Sequence, residues 1–268
     1  MHRNIVPAWR GVSSFHEFRL CNSSALAQDS RPQLSLQQLT RRIERLKGLQ
    51  RQIRWVDISC FSACGDLHGL PMRAGKQGHG ASYDAKPSQE ELDYFAGFLA
   101  GDGCVAPMSN ASSCRLIIGQ SSTHGEALLM FLRAFGGGIY RQSRGLGSVK
   151  PGIQWIVSRS HDHAAALLGT IASSKQGQLH IAAMWPTCPS SRQAIVSELK
   201  QLQHQTPEGF RCCSLAVVAG FFDAEGCIQL PGGNRIKLEM GQRFLQILEA
   251  IQQFLKQRLP ENQTVSTI

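Results

Sequence analysis

The 268-residue chain has no run of about 18 apolar residues, which excludes a membrane-spanning helix. Acids are scarce: 19 Asp and Glu stand against 28 Lys and Arg, a formal net charge of +9 at pH 7. That deficit makes a polyanion the first partner to consider, nucleic acid ahead of a membrane surface. The nine cysteines, at 22, 60, 64, 104, 114, 188, 212, 213 and 227, lack a pairing plan. Their number is odd and no secretory signal is visible, so a disulfide scaffold is not expected. Cys60 and Cys64 have no second pair at zinc-ligand spacing, and reduced thiols in an intracellular protein are the reading. What the chain does have is 42% hydrophobic residues, too many for a wholly disordered polymer. Its length suits one large domain or two smaller ones.

Residues 1–32 carry Arg3, Arg10 and Arg19 among several serines, with Glu17 the one acid before Asp29. The composition is compatible with an organellar transit peptide, for a chloroplast or mitochondrion, but a plain disordered tail is the preferred reading; a nuclear location fits as well. Ser35 and Gln38 match a capping box. Leu36, Leu39, Ile43, Leu46, Leu49 and Ile53 follow at helical spacing, which predicts a basic amphipathic helix over 35–54. Glycines at 65, 69, 75, 78 and 80 with Pro71 and Pro87 make residues 65–87 read as a linker. Residues 1–87 are thus expected as an N-terminal extension.

The informative feature is an internal repeat. Residues 94–105 read YFAGFLAGDGCV and residues 217–228 read VVAGFFDAEGCI, with five of twelve positions identical and Asp102 aligned with Glu225. The match continues from RLIIGQ (115–120) to KLEMGQ (237–242), and from Phe131-Leu132-Arg133 to Phe254-Leu255-Lys256. One copy would be weak evidence. Two in register are hard to credit to chance. The first copy, expected over 88–205, reads as a helix over 90–101, strands near 103–109 and 114–121, and a helix over 124–135 ending in three glycines. A second hairpin near 138–144 and 153–160 and helices near 161–172 and 177–185 complete an αββαββα unit. The second copy, 206–268, repeats helix (214–223), hairpin (226–242) and helix (243–259).

Each motif helix carries an internal Ala-Gly pair, Ala96-Gly97 and Ala219-Gly220. A mid-helix glycine costs about 1 kcal/mol relative to Ala. The cost makes sense if the two helices cross closely on these residues at a pseudo-twofold interface. Their C-termini, and so Asp102 and Glu225, would then converge. Two carboxylates there repel each other and meet the negative ends of two helix dipoles. A divalent cation resolves both penalties, and hard oxygen ligands at an open site suit Mg²⁺. Such a metal beside a phosphodiester can activate water. Either acid alone would read as an ordinary helix-end residue; the duplicated spacing selects metal ligation.

These residues resemble the LAGLIDADG homing endonuclease family. The match runs over Phe95–Gly103 and Val218–Gly226 and, with flanking elements, over residues 88–260. Two motifs in one chain look like the monomeric, pseudo-symmetric members. The resemblance implies an α+β fold of duplicated αββαββα units with antiparallel saddle sheets, acting as an Mg²⁺-dependent endonuclease that breaks both strands of double-stranded DNA. It implies metal ligation by Asp102 and Glu225, active-site water held by Gln120 and Gln242, and transition-state support from Lys175, whose bland reading is a surface lysine. Ala100 departs from the family pattern, which usually has Asp there. On alternating strands Leu116, Ile118, Leu238 and Met240 should face the helices, leaving Arg115 and Lys237 toward DNA, with Arg141, Arg144 and Gln154 from the second hairpin. The bland reading of each is a solvated face or a phosphate contact.

The second copy reads as incomplete. In the first copy the third strand begins about 35 residues after Gly103; the same distance past Gly226 is Glu261, and the chain ends at Ile268. No second hairpin and no counterpart of Lys175 are expected, so affinity, site discrimination and cleavage are expected to be weak. Tight Mg²⁺-dependent cutting at one long site would overturn that expectation. The alternatives are a catalytically weak nucleic-acid binder, including an intron-RNA maturase of the same fold, and a decayed open reading frame.

Overall fold

The computed structural model describes residues 35–75, 86–147, 149–207, 214–230 and 236–258. The chain divides into two compact units, Met1–Arg45 and Leu46–Ile268, and both repeat copies lie in the second. The tail over 1–32 lies outside the described residues. No described helix is long and apolar enough to cross a membrane.

Helix α1 (Leu36–Gln52) forms where its periodicity places it. Its capping box is closed: the Ser35 amide donates to Gln38 Oε1 at 2.9 Å and the Gln38 amide to Ser35 Oγ at 3.3 Å. None of its side chains is buried.

The linker expected over 65–87 is a correction. Strands β2 (Asp66–Gly69) and β3 (Met72–Arg73) occupy its first part, after β1 (Cys60–Ala63) just before it; residues 76–85 lie outside the described ones. Gly65 holds φ +85° in the tight β1–β2 turn, so this glycine is hairpin punctuation. Phe61 and Ala63 are fully buried in the main core. The Gly125 amide donates to the Ser62 carbonyl, which fixes the hairpin against the next unit.

The first copy follows the expected order: α2 (Gln89–Asp102), β4 (Gly103–Pro107), β5 (Cys114–Ser121), α3 (Glu126–Phe135), β6 (Gly138–Ser143), β7 (Gly152–Val157), α4 (His161–Gly169) and α5 (Gln176–Ala183). One helix was not anticipated, α6 (Pro189–His204); it buries only Leu199, so it has almost no apolar periodicity to read. The sheet is antiparallel, in the order β3-β6-β7-β5-β4. The two hairpins join because β5 pairs with β7, and β3 adds a fifth strand at the β6 edge.

Alternation sorts the sheet into two faces. Val105, Leu116, Ile118, Ile139, Ile153 and Trp155 are fully buried against the helices. Phe95, Phe98, Phe131 and Phe135 pack above them, with Phe131 and Trp155 5.1 Å apart in tilted contact. The buried Trp155 indole donates to the Gly136 carbonyl at 2.7 Å, at the glycine run that ends α3. The other face carries Cys104, Ala106, Arg115, Ile117, Gly119, Tyr140, Gln154 and Ile156, and it is open.

The second copy contributes α7 (Leu215–Glu225), β8 (Gly226–Gln229), β9 (Lys237–Met240) and α8 (Leu245–Lys256). Its strand register repeats that of the first: Gly226 pairs Met240 as Gly103 pairs Ile118, and Gln229 pairs Lys237 as Ala106 pairs Arg115. Among the described residues this sheet has two strands. Leu238, expected to face the helices like Leu116, is 61% exposed, and Ile228 is 64% exposed where its counterpart Val105 is buried. No described strand flanks β9 as β7 flanks β5, so these apolar positions have nothing to pack on.

Candidate active site at the ends of two crossed helices

Helices α2 and α7 cross on glycine. A Cβ on Gly97 would stand 2.1 Å from the Val217 carbonyl oxygen, and one on Gly220 would stand 2.0 Å from the Tyr94 carbonyl oxygen. Further along, a Cβ on Gly101 would meet Ala224 Cβ at 2.6 Å and Glu225 Cγ at 2.8 Å. Only a residue without a side chain permits this approach. One alanine is corrected: Ala219 is exposed, whereas Ala96 is buried in the core that also holds Val217 of α7. Ala100, where the motif departs from the pattern it resembles, fills a small apolar cluster with Phe221, Ile247 and Ile251. An acid there would be buried in the second copy's core.

The α2 N-terminus is set by a closed capping box between Ser88 and Glu91. Its C-terminus ends at Asp102, and α7 ends at the equivalent Glu225. The two acids do come together. Asp102 is pushed up to about 6, first by burial and then by the charge of Glu225; the Lys175 ammonium and the Gln120 hydrogen bond pull the other way. Gln120 donates its amide N–H to Asp102 Oδ2. It reaches the acid from the helix side of the sheet, because its β7 partner is the buried Ile153.

Lys175 stands at the start of α5 and is no surface lysine. Its ammonium donates to the carbonyls of Leu99 (2.7 Å), Gly101 (3.2 Å) and Gly103. Those carbonyls cluster where α2 passes into β4, the Leu99 carbonyl also accepting from the Gly103 amide, and a cation there meets the negative end of the dipole. Burial lowers its pKa to about 8, while Cys104, Asp102 and Glu225 pull it upward. An ammonium has three N–H groups. All three are taken, so Lys175 acts on the acids through its charge.

Gln242 is not placed like Gln120. Its Oε1 accepts from the Arg243 amide at 2.6 Å. Strand β9 stops at Met240, two residues before it, whereas β5 runs through Gln120 because β7 supports it.

Of the residues expected to face DNA, Arg115 and Gln154 lie on the open face, and the Arg115 Nε is buried with no hydrogen-bond partner. Arg141 is a correction. It pairs Ile153, on the core side, and a bulge between Arg141 and Ser143 breaks the alternation beyond it. Arg141 and Arg144 both bind the Asp57 carboxylate, at 3.2 and 3.1 Å. Lys237 is ion-paired with Glu239, which also accepts from Gln229. Sequence reasoning missed the concavity of about 700 Å³ that joins Asp102 to the open face, lined by Cys104, Ile117, Gln120, Gln142 and Lys150. It also missed the bond across the crossing from the Tyr94 hydroxyl to Asp223 at 2.9 Å, which with burial raises the Tyr94 pKa.

Among the described residues no group of three acidic, His or Cys side chains gathers as a ready metal cage. The donor set at the crossing is two carboxylates, and Asp102 is raised by burial first and by the charge of Glu225 second. Hard and anionic, with Asp102 lining the concavity, it fits a small divalent cation that keeps waters of its own.

No protein-family model and no curated protein matches the chain. Solved structures similar to it are LAGLIDADG homing endonucleases. One is the homing endonuclease I-CvuI in complex with the I-CreI target in the presence of Mg, its DNA not cleaved (16% identity; 51% of this chain and 95% of that one; TM-score 0.34). Another is the I-LtrWI LAGLIDADG homing endonuclease bound to target DNA (13% identity; 62% and 72%; TM-score 0.43). A third is I-CvuI with its own target in the presence of Ca (20% identity; 48% and 91%; TM-score 0.32).

Proposed function

We propose that the chain is a divalent-metal-dependent DNA endonuclease that hydrolyses phosphodiester bonds at Asp102 and Glu225, with Mg²⁺ as its metal and double-stranded DNA as its substrate. The observation that carries this reading is the glycine crossing, which brings two acids from equivalent helix ends to one open site above an uncovered sheet face. The bound cation would supply Lewis-acid polarisation of the phosphate and water activation near neutral pH. The protein's own residues do the rest. Asp102 and Glu225 present hard oxygens. Gln120 donates to one Asp102 oxygen and fixes how the other is presented. Lys175 closes the α2 C-terminus and offsets the paired negative charge. Arg115 and Gln154 stand on the face a duplex would cover.

A second reading has its own observations. The Gln242 amide oxygen is taken by the Arg243 amide, and the one cation in β8 and β9 is tied to Glu239. Both weaken the second half-site and favour a nucleic-acid binder that cuts slowly or not at all. Selecting cleaved sequences from a random duplex library with Mg²⁺, beside Asp102→Asn and Glu225→Gln, separates the two. Cutting that disappears in both variants supports the nuclease; RNA or DNA binding without cutting supports the second reading.

A further inference from the structure

The open face does not end at the active-site concavity. Beyond it, at the β3–β6 edge, lies a larger one of about 1000 Å³ lined by Arg73, Tyr140, Gln154, Arg159 and His163 together with backbone of the glycine run after α3. The two meet along β5 and β7, where Gly119 pairs Gln154 and Ile117 pairs Ile156. Arg73 comes from β3, in the stretch that reads as a linker, and pairs Gly138 on the open face. Its guanidinium lies 5.8 Å over the Tyr140 ring, a cation–π seat that holds the charge on the sheet.

What separates this cluster from the other basic residues is its lack of counter-charge. Arg141 and Arg144 are bound to Asp57, and Lys237 to Glu239. Arg73 and Arg159 meet no carboxylate among the described residues, and no acid lines the cavity. An exposed cation pair, a histidine and a flat aromatic on a floor without acids form a receptor for a phosphate of a polyanion.

We propose that Arg73, Tyr140, Arg159 and His163 form an outlying backbone clamp for duplex DNA, with β3 widening the binding sheet by one strand. The clamp rests on the proposed nucleic-acid reading and adds to it a contact outside the cleavage centre. Its reach follows from the strand order. From β4, which follows Asp102, to β3 there are four inter-strand steps, about 19 Å at ~4.8 Å each. At about 3.4 Å per nucleotide, that is five to six phosphates from the acids.

The test uses the full chain in EDTA, so that binding is read without cleavage, on duplexes selected for binding under those conditions. Salt dependence and ethylation interference are compared for wild type, Arg73→Gln, Arg73→Lys and Arg159→Gln. The clamp predicts that each Gln variant lowers the slope of log K against log salt by about 0.9 and weakens binding about eightfold at about 0.1 M salt, uniformly across sequences. Interference at a phosphate about five to six nucleotides from the centre disappears, and Arg73→Lys keeps both signals. Wild-type slope and footprint in both Gln variants would overturn the clamp while leaving the nuclease reading to its own cleavage test. Failure of the wild-type chain to bind any duplex would overturn both, and a variant whose circular dichroism shows a lost fold is replaced by the other arginine.

Discussion

Gly97 and Gly220 are reciprocal partners. Each meets the carbonyl of the residue three before the other, Val217 and Tyr94, and both the glycines and the carbonyls are 123 positions apart. The sequence repeat is therefore also a contact repeat, and the pseudo-twofold axis passes through the helix crossing.

Gly97→Ala and Gly220→Ala should each force a methyl into a backbone oxygen and separate the helices. The expected loss is about 1–3 kcal/mol or more, read by urea unfolding. Gly69→Ala, at a position with nothing within 4 Å, is the neutral control. Equal stability of all three proteins would refute the close crossing.

Lys175→Met should remove the ammonium from the Leu99, Gly101 and Gly103 carbonyls, of which Leu99 keeps the Gly103 amide, at about 1–3 kcal/mol in unfolding free energy. It should also raise the Asp102 pKa further, because the ammonium is one of the two groups holding it down. Carboxylate titration by NMR reads that shift, which loss of the cap alone would not produce.

Gln120→Leu should lower cleavage about tenfold or more, the scale of one hydrogen bond to a charged group. Gln242→Leu should change it by less than about twofold, because that side chain serves its own backbone. Comparable losses in both would mean that the two halves work alike.

In metal-free protein, the folded Asp102 titrates at about 6 and the unfolded one at its ordinary 3.8. Between those values the folded chain holds a proton that the unfolded chain has released, so this group makes stability fall as pH rises. Lys175 has the opposite window: lowered to about 8 from 10.5, it makes stability rise with pH between those values. Asp102→Asn should remove the first slope, measured by urea unfolding in EDTA. With metal present, protons compete below about pH 6, and apparent Mg²⁺ affinity should rise up to tenfold per unit until it levels off. Affinity independent of pH from 5 to 7 would remove Asp102 from the ligand set.

What the sequence disclosed and what it hid divide along physical lines. The capping boxes at Ser35 and Ser88, the glycine run after α3 and the paired acids are local or repeated signals, and all are where the spacing put them. The β1–β3 segment was hidden because its glycines serve turns as readily as linkers. Its burial depends on Phe61 and Ala63, two residues too few to make a period. Arg141 was misplaced because the pairing register of its hairpin is a long-range property: it stands opposite Ile153, one residue along from the Tyr140–Gln154 pair. Gln242 aligns with Gln120 residue for residue, yet its position depends on a neighbouring strand that no local pattern encodes. Alignment transferred the identity of the side chain and could not transfer its support.

Glu239 occupies the place that Ile117 holds in the first copy, and it draws Lys237, Gln229 and the Cys227 thiol toward itself. On the proposed reading, a duplex across the molecule would be held with polarity: firmly over the five-stranded side, loosely over β8 and β9. Once both strands are cut, the fragment on the loose side departs first. Turnover would then be governed by how long the other end stays bound.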